Sequence, residues 1–128
     1  MPDASFKDFV LDQLRALPNL RAKRMFGGHG LYQGERFFGI LMDGRLYFKT
    51  DEQSRADYVS RGAAPFVYEK AQRIVSMNYY EVPAEILEAR DELVSWATRA
   101  AEAAGRAEAA AEQKASRRSS SKHVARHA

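Results

Sequence analysis

The chain contains no cysteine. That excludes a disulfide framework, a thiolate zinc site, a thiol nucleophile and an iron–sulfur cluster. No apolar run approaches the ~20 residues that a membrane-spanning helix needs. The opening stretch MPDASFKDFVLDQLRAL carries acids inside its apolar pattern and has no basic leading region, so a secretory signal is not expected. Sequence patterns for a phosphate loop (GxxxxGK[ST]), a nucleophile elbow (GxSxG) and a helical zinc site (HExxH) are all missing. No motif implies a cofactor or a metal. These absences leave a cytoplasmic chain without membrane contact as the expectation. The 128 residues, 45% of them hydrophobic and 29% charged, fit one domain plus a tail.

The charge is unevenly placed. Six bases and two acids fall in residues 106–128, against fourteen bases and fifteen acids in residues 1–105. The pI near 9.3 therefore belongs to the tail, and the folded part is close to neutral. A basic segment of this kind neutralises phosphates weakly and without regard to sequence, or it only solubilises the chain. Arg117, Arg118, Lys122 and Arg126 are the candidate phosphate contacts. From about residue 115 the sequence SRRSSSKHVARHA has no apolar period and reads as largely disordered. The division expected is a domain over 1–105 and a basic tail over 106–128.

Within the domain, Phe6, Phe9, Val10, Leu14 and Leu17 fall at helical spacing, which predicts a helix over about 3–17 ended by Pro18. Short apolar runs follow, separated by Gly27-Gly28-His29-Gly30, Gln33-Gly34-Glu35 and Asp43-Gly44. Asp-Gly between apolar runs is a hairpin signal, because a type I′ turn needs positive φ at both central residues. Three or four antiparallel strands are expected over 21–49. Asp51 is placed to cap a helix over 52–60 that Gly62 closes. Two more strands, 65–68 and 73–82, flank a polar loop at 69–72. Pro83 suits the first turn of a last helix running to about 104, where Gly105 offers a stop, although 106–114 is alanine-rich enough to extend it. The order α-β-β-β(-β)-α-β-β-α is that of a two-layer α+β domain with an antiparallel sheet.

A sheet covered on one side should alternate cleanly between apolar and polar residues. Here both alternating sets of 37–42 are apolar: Phe38, Ile40 and Met42 against Phe37, Gly39 and Leu41. Either helices cover parts of both faces, or the strand phases are misread, or the second face is a docking or dimer surface. Tyr47, Tyr79 and Tyr80 are the candidate docking residues. Tyrosines in strands are otherwise ordinary cross-strand packing. The glycine cluster reads as a turn or bulge needing positive φ or close packing. Its functional alternative is a small-molecule or enzymatic site built on Gly27, Gly28, His29 and Gly30. His29 is the sole histidine before the tail, and catalysis there needs a nucleophile and an orienting carboxylate beside it. A concave pocket holding His29 next to a carboxylate favours that alternative, and a flat apolar face favours docking.

The segments Met25-Phe26-Gly27-Gly28-His29-Gly30-Leu31-Tyr32, Phe37-Phe38-Gly39-Ile40 and Gly44-Arg45-Leu46-Tyr47-Phe48-Lys49 resemble the TfoX/Sxy N-terminal domain family. So do Pro65-Phe66-Val67-Tyr68 and Ser76-Met77-Asn78-Tyr79-Tyr80-Glu81-Val82-Pro83, with Trp96-Ala97 in the helix beyond. The resemblance covers about residues 6–104. It implies an α+β fold similar to secretion chaperones and a regulatory role in natural competence, exercised with a cyclic-AMP receptor-type transcription factor. It implies no catalytic or ligand residue. Full-length competence regulators carry a second helical domain, in whose place this chain has the basic tail. The expected function is a non-enzymatic module that docks on a protein partner, with weak nucleic-acid affinity through the tail and homodimerisation as a further option.

Overall fold

In a computed structural model of the chain, residues 2–25, 27–70 and 73–127 are described. The elements run α1 (Pro2–Gln13), β1 (Leu20–Met25), β2 (Gly28–Gln33), β3 (Arg36–Met42), β4 (Arg45–Lys49), α2 (Glu52–Ser60), β5 (Pro65–Lys70), β6 (Arg73–Glu81), α3 (Ala84–Leu87) and α4 (Arg90–His127). The strands form one antiparallel sheet in the order β1-β2-β3-β4-β6-β5. This is the α+β fold expected, with four strands in the first group. Ala71 and Gln72, in the expected loop between the last two strands, lie outside the described residues.

Local chemistry explains the turns. Asp43 and Gly44 take φ of 54° and 69°, the paired positive values of a type I′ hairpin between β3 and β4. Asp51 caps α2 in a reciprocal box: its carboxylate accepts from the Ser54 amide at 2.7 Å, and the Asp51 amide donates to Ser54 Oγ at 2.9 Å. Its other oxygen accepts from the Arg106 guanidinium of α4.

All four helices bury their apolar sides on one face of the sheet. Val10 of α1, Leu14 in the turn after it, Tyr58 of α2, Ile86 of α3 and Leu93, Trp96, Ala97, Ala100, Ala101 and Ala104 of α4 meet Leu31, Phe38, Leu41, Leu46, Phe48 and Val82 in one cluster. Tyr58 stacks edge-on against Trp96 at 4.7 Å, and burial pushes its hydroxyl well above the usual tyrosine range.

The structure departs from the sequence expectations in four places. First, α1 stops at Gln13, and a turn carries Leu14 and Leu17 into the core. Phe9 is 41% exposed, whereas Gln13 is buried. Second, the last helix is broken: Pro83 precedes a single turn, α3, and α4 starts anew at Arg90. The break frees the Leu87 carbonyl, which Gln13 Nε2 satisfies at 3.0 Å while Arg90 Nε donates to Gln13 Oε1 at 3.2 Å. A buried helix end requires such a partner, which accounts for the buried glutamine. Third, α4 does not stop at Gly105 and its backbone stays helical to His127, through the stretch expected to be disordered. Alanine, glutamate, lysine and arginine are strong helix formers, and no proline interrupts them. At Gly105 the Arg36 side chain crosses the helix so closely that an added Cβ would lie 2.8 Å from Arg36 Nε. The side chains of Arg117, Arg118, Lys122 and Arg126 are outside those described. Fourth, β3 carries a bulge. Leu31 pairs with Gly39 but Tyr32 pairs with Phe37, leaving Phe38 as the extra residue.

The cap gives a direct test. Asp51→Ala is expected to lower stability by about 1 kcal/mol, the usual cost of losing a helix cap. The amide of Ser54 and the Arg106 guanidinium hold the Asp51 carboxyl below its ordinary value. Its contribution is therefore present above the unfolded carboxyl pKa and fades as pH falls through the lower folded value. Denaturation curves of the two proteins should converge in acid; a difference that persists there contradicts the assignment.

Candidate functional site

The bulge at Phe38 reverses the alternation of β3, so Phe37, Ile40 and Met42 share the face opposite the helices. There they join Tyr47, Phe66 and Tyr79 in a second cluster, in which Ile40, Phe66 and Tyr79 are buried. The apolar sets expected from the sequence, Phe38 with Ile40 and Phe37 with Leu41, are corrected by this one inserted residue. Every described member of the second cluster comes from a strand, so among the described residues no helix covers that face.

The cluster is a run of ring contacts. Tyr32 meets Phe37 at 5.2 Å, Phe37 meets Tyr79 at 5.5 Å, and Tyr47 meets Phe66 edge-on at 4.9 Å. The ammonium groups of Lys23 and Lys49 stand 5.2 and 5.3 Å from the rings of Tyr32 and Tyr79, within cation–π range. The three candidate tyrosines separate. Tyr47 is half-buried on the open face, and partial burial with Glu81 nearby raises its hydroxyl pKa. Tyr79 is 2% exposed, and its hydroxyl donates to the Phe37 carbonyl at 3.1 Å. Tyr80 points the other way, packing on the helix-side core 6.1 Å from Tyr58. Of the three, Tyr47 alone is on the open face and half-buried, near Tyr32, Phe37 and Met42. The signal for Tyr32 and Phe37 was their place beside a bulge, which pairwise alternation hides.

The four residues of the glycine segment do not form one loop. Gly27 lies in the β1–β2 turn with φ 82°, while Gly28, His29 and Gly30 belong to β2. A Cβ on Gly28 would sit 2.1 Å from the Leu41 carbonyl oxygen, so close backbone approach requires glycine there. The segment does border a cleft of about 450 Å³, which also takes in Phe6 and Lys7 of α1, Arg24 and Met25 of β1, and Leu41 to Gly44 around the β3–β4 turn. His29 and Asp43 both line it. Partial burial, then Lys7, then Arg24 lower the His29 pKa, and no carboxylate acts in the opposite direction. The cleft therefore brings the expected histidine and a carboxylate, Asp43, into one lining, with no hydrogen bond between the two among the described residues. Among the described residues no three His, Asp or Glu side chains gather to hold a metal. Likewise no helix there is long and apolar enough to cross a membrane.

The family model described as TfoX N-terminal domain matches residues 12–104. The chain belongs to this family. Among curated relatives it is 30% identical over 69 residues to the DNA transformation protein TfoX1 of Aliivibrio fischeri, covering 54% of this chain and 33% of that one. Protein Sxy of Escherichia coli is 31% identical over 84 residues, covering 64% and 40%. An uncharacterized 12.7 kDa protein in the trpE 5′ region of Spirochaeta aurantia is 40% identical over 53 residues, covering 41% and 46%. The chain thus spans between a third and a half of the length of these relatives. In this TfoX N-terminal domain, the matched segment ends where α4 finishes contributing to the core at Ala104.

Tyr79 separates a structural from a docking role. Tyr79→Phe is expected to cost about 1 kcal/mol through loss of the hydrogen bond to Phe37. Tyr79→Glu should unfold the domain, because it puts a carboxylate inside an apolar cluster. A folded, stable Tyr79→Glu protein, measured by thermal melting, contradicts the burial argument.

Proposed function

We propose that this chain is a non-enzymatic regulatory module that acts in the control of natural competence by docking on a protein partner through the open face of its sheet. The observation that carries the reading is the aromatic face itself. Tyr32, Phe37, Met42 and Tyr47 remain half-buried around a buried centre of Ile40, Phe66 and Tyr79, with Lys23 and Lys49 at its edge. Half-buried aromatics around a packed centre are the anchors that protein interfaces favour. Family membership and the printed name of the Aliivibrio relative, a DNA transformation protein, supply the process. A transcription factor is the class of partner proposed, and a second copy of the chain is the competing occupant.

The tail has a secondary part in this reading. Arg117, Arg118, Lys122 and Arg126 add positive charge along the far end of α4 and give nonspecific affinity for nucleic-acid phosphates. Such affinity falls steeply with salt, because each neutralised phosphate releases a counterion.

Two experiments test the proposal. Replacing the N-terminal domain of full-length Protein Sxy with residues 1–128 is expected to preserve activation of competence promoters. Tyr47→Glu in that chimera should abolish it while the far-ultraviolet dichroism stays unchanged. A chimera with no activity, or an unimpaired Tyr47→Glu chimera, counts against docking by this face. For the tail, replacing Arg117, Arg118, Lys122 and Arg126 by glutamine should remove salt-dependent DNA binding seen by fluorescence anisotropy. Equal binding by both proteins assigns that affinity elsewhere.

A further inference from the structure

The cleft between α1 and the turns at the end of the sheet gathers basic side chains from three elements. Lys7 from α1, Arg24 from β1 and His29 from β2 line it together. Six other arginines of the described domain, Arg15, Arg21, Arg45, Arg61, Arg90 and Arg99, form ion pairs with carboxylates, and Arg106 pairs with Asp51. Among the described residues Lys7 and Arg24 form no ion pair, as is also true of Lys23, Arg36, Lys49 and Arg55; what sets Lys7 and Arg24 apart is that both line one cleft. Asp43, the one acid on the rim, does not offset their field at His29, whose pKa both bases lower after burial. Two bases lining one concavity offer a dianion two cationic contacts, which a monoanion uses less fully.

The rest of the lining limits what the dianion is attached to. A volume of about 450 Å³ lies within the ~300–1,000 Å³ of small-molecule sites and greatly exceeds what a bare phosphate fills. Phe6, Met25, Leu41 and Met42 give the cleft apolar surface, and Asp43 gives it an acceptor for a ligand N–H. At Gly27 an added Cβ would meet nothing within 4 Å, so the turn presents open backbone beside the bases. We propose that this cleft binds a small organic phosphomonoester of mononucleotide size, its phosphate held by Lys7 and Arg24 and its flat body against the apolar lining. This inference does not depend on the docking face, with which the cleft shares only Met42 among the residues named for each.

The test uses the full chain with AMP, adenosine and inorganic phosphate as probes, followed by calorimetry and by the His29 imidazole resonances. AMP is expected to bind and to raise the His29 pKa toward or above its ordinary value, since the phosphate opposes the field of Lys7 and Arg24. Lys7→Gln and Arg24→Gln should each weaken AMP by about tenfold, the size of one charge-assisted contact, without changing the thermal midpoint by more than a degree or two. Adenosine should not compete. No AMP binding at about 10 mM, a floor near the weakest specific affinities, would overturn the proposal. Adenosine binding as well as AMP, phosphate alone binding as well as AMP, or variants as tight as the parent would each overturn it too.

Discussion

One extra residue in one strand organises this domain. At Phe38 the β2–β3 ladder slips by one position, and because side chains alternate with a period of two, the slip exchanges the faces of everything before it. Phe38 and Leu41 enter the helix-side core; Phe37, Ile40 and Met42 enter the opposite cluster. A central strand that is apolar on both sides needs cover on both sides. The helices supply it on one face only, so the other face covers itself with aromatic side chains. The Tyr79 hydroxyl bonds the Phe37 carbonyl at 3.1 Å, beside the interrupted ladder. The bulge, the aromatic run and the buried Tyr79 are therefore one solution to one problem.

What the sequence made legible is what local chemistry determines. The Asp43-Gly44 hairpin, the Asp51 cap and the stop before Gly62 each depend on the conformational range of one or two residues, and each stands where the residues indicate. The bulge was not legible, because Phe37-Phe38-Gly39-Ile40 is apolar in either phase and only pairing with β2 decides it. The break between α3 and α4 was hidden for a similar reason. Nothing in Glu88-Ala89 ends a helix by itself; Gln13 and Arg90 stabilise the break from 70 or more residues apart in sequence. Helix over 106–114 was open to the alanine-rich composition; beyond about residue 115 composition pointed to disorder because the lack of an apolar face argues against packing, which is not an argument against helix.

The cleft follows from topology more than from any motif. In an antiparallel meander alternate turns fall at the same end of the sheet, so the β1–β2 turn at Gly27 and the β3–β4 turn at Asp43-Gly44 must be neighbours. Their adjacency was implicit once four strands were counted. The arrival of α1, which adds Lys7 to Arg24 and His29, was not implicit, since a helix over the first residues can cross the sheet at several angles. His29 thus gained its surroundings from two distant segments. The carboxylate that the sequence left open as its partner is present on the rim as Asp43, while burial, then Lys7, then Arg24 lower the His29 pKa.

The two faces divide the work of the domain. On the helix side, stability is secured by a continuous core from Val10 to Ala104, with the polar groups at its edge, Gln13, Thr50 and Ser54, bonded to backbone or cap partners. The half-buried rings lie on the open face, and the bases that line a concavity lie at the end of the sheet. Such groups are costly to leave unused: apolar rings seldom stay exposed together, and unpaired cations around one concavity repel each other. The electrostatic difference between the two places also separates their partners. The open face is apolar at its centre with lysines only at its edge, which suits a protein surface, whereas the cleft concentrates charge at close range, which suits a small anion. A relative that keeps the bulge but loses Lys7 and Arg24 should therefore keep the first capacity and lose the second.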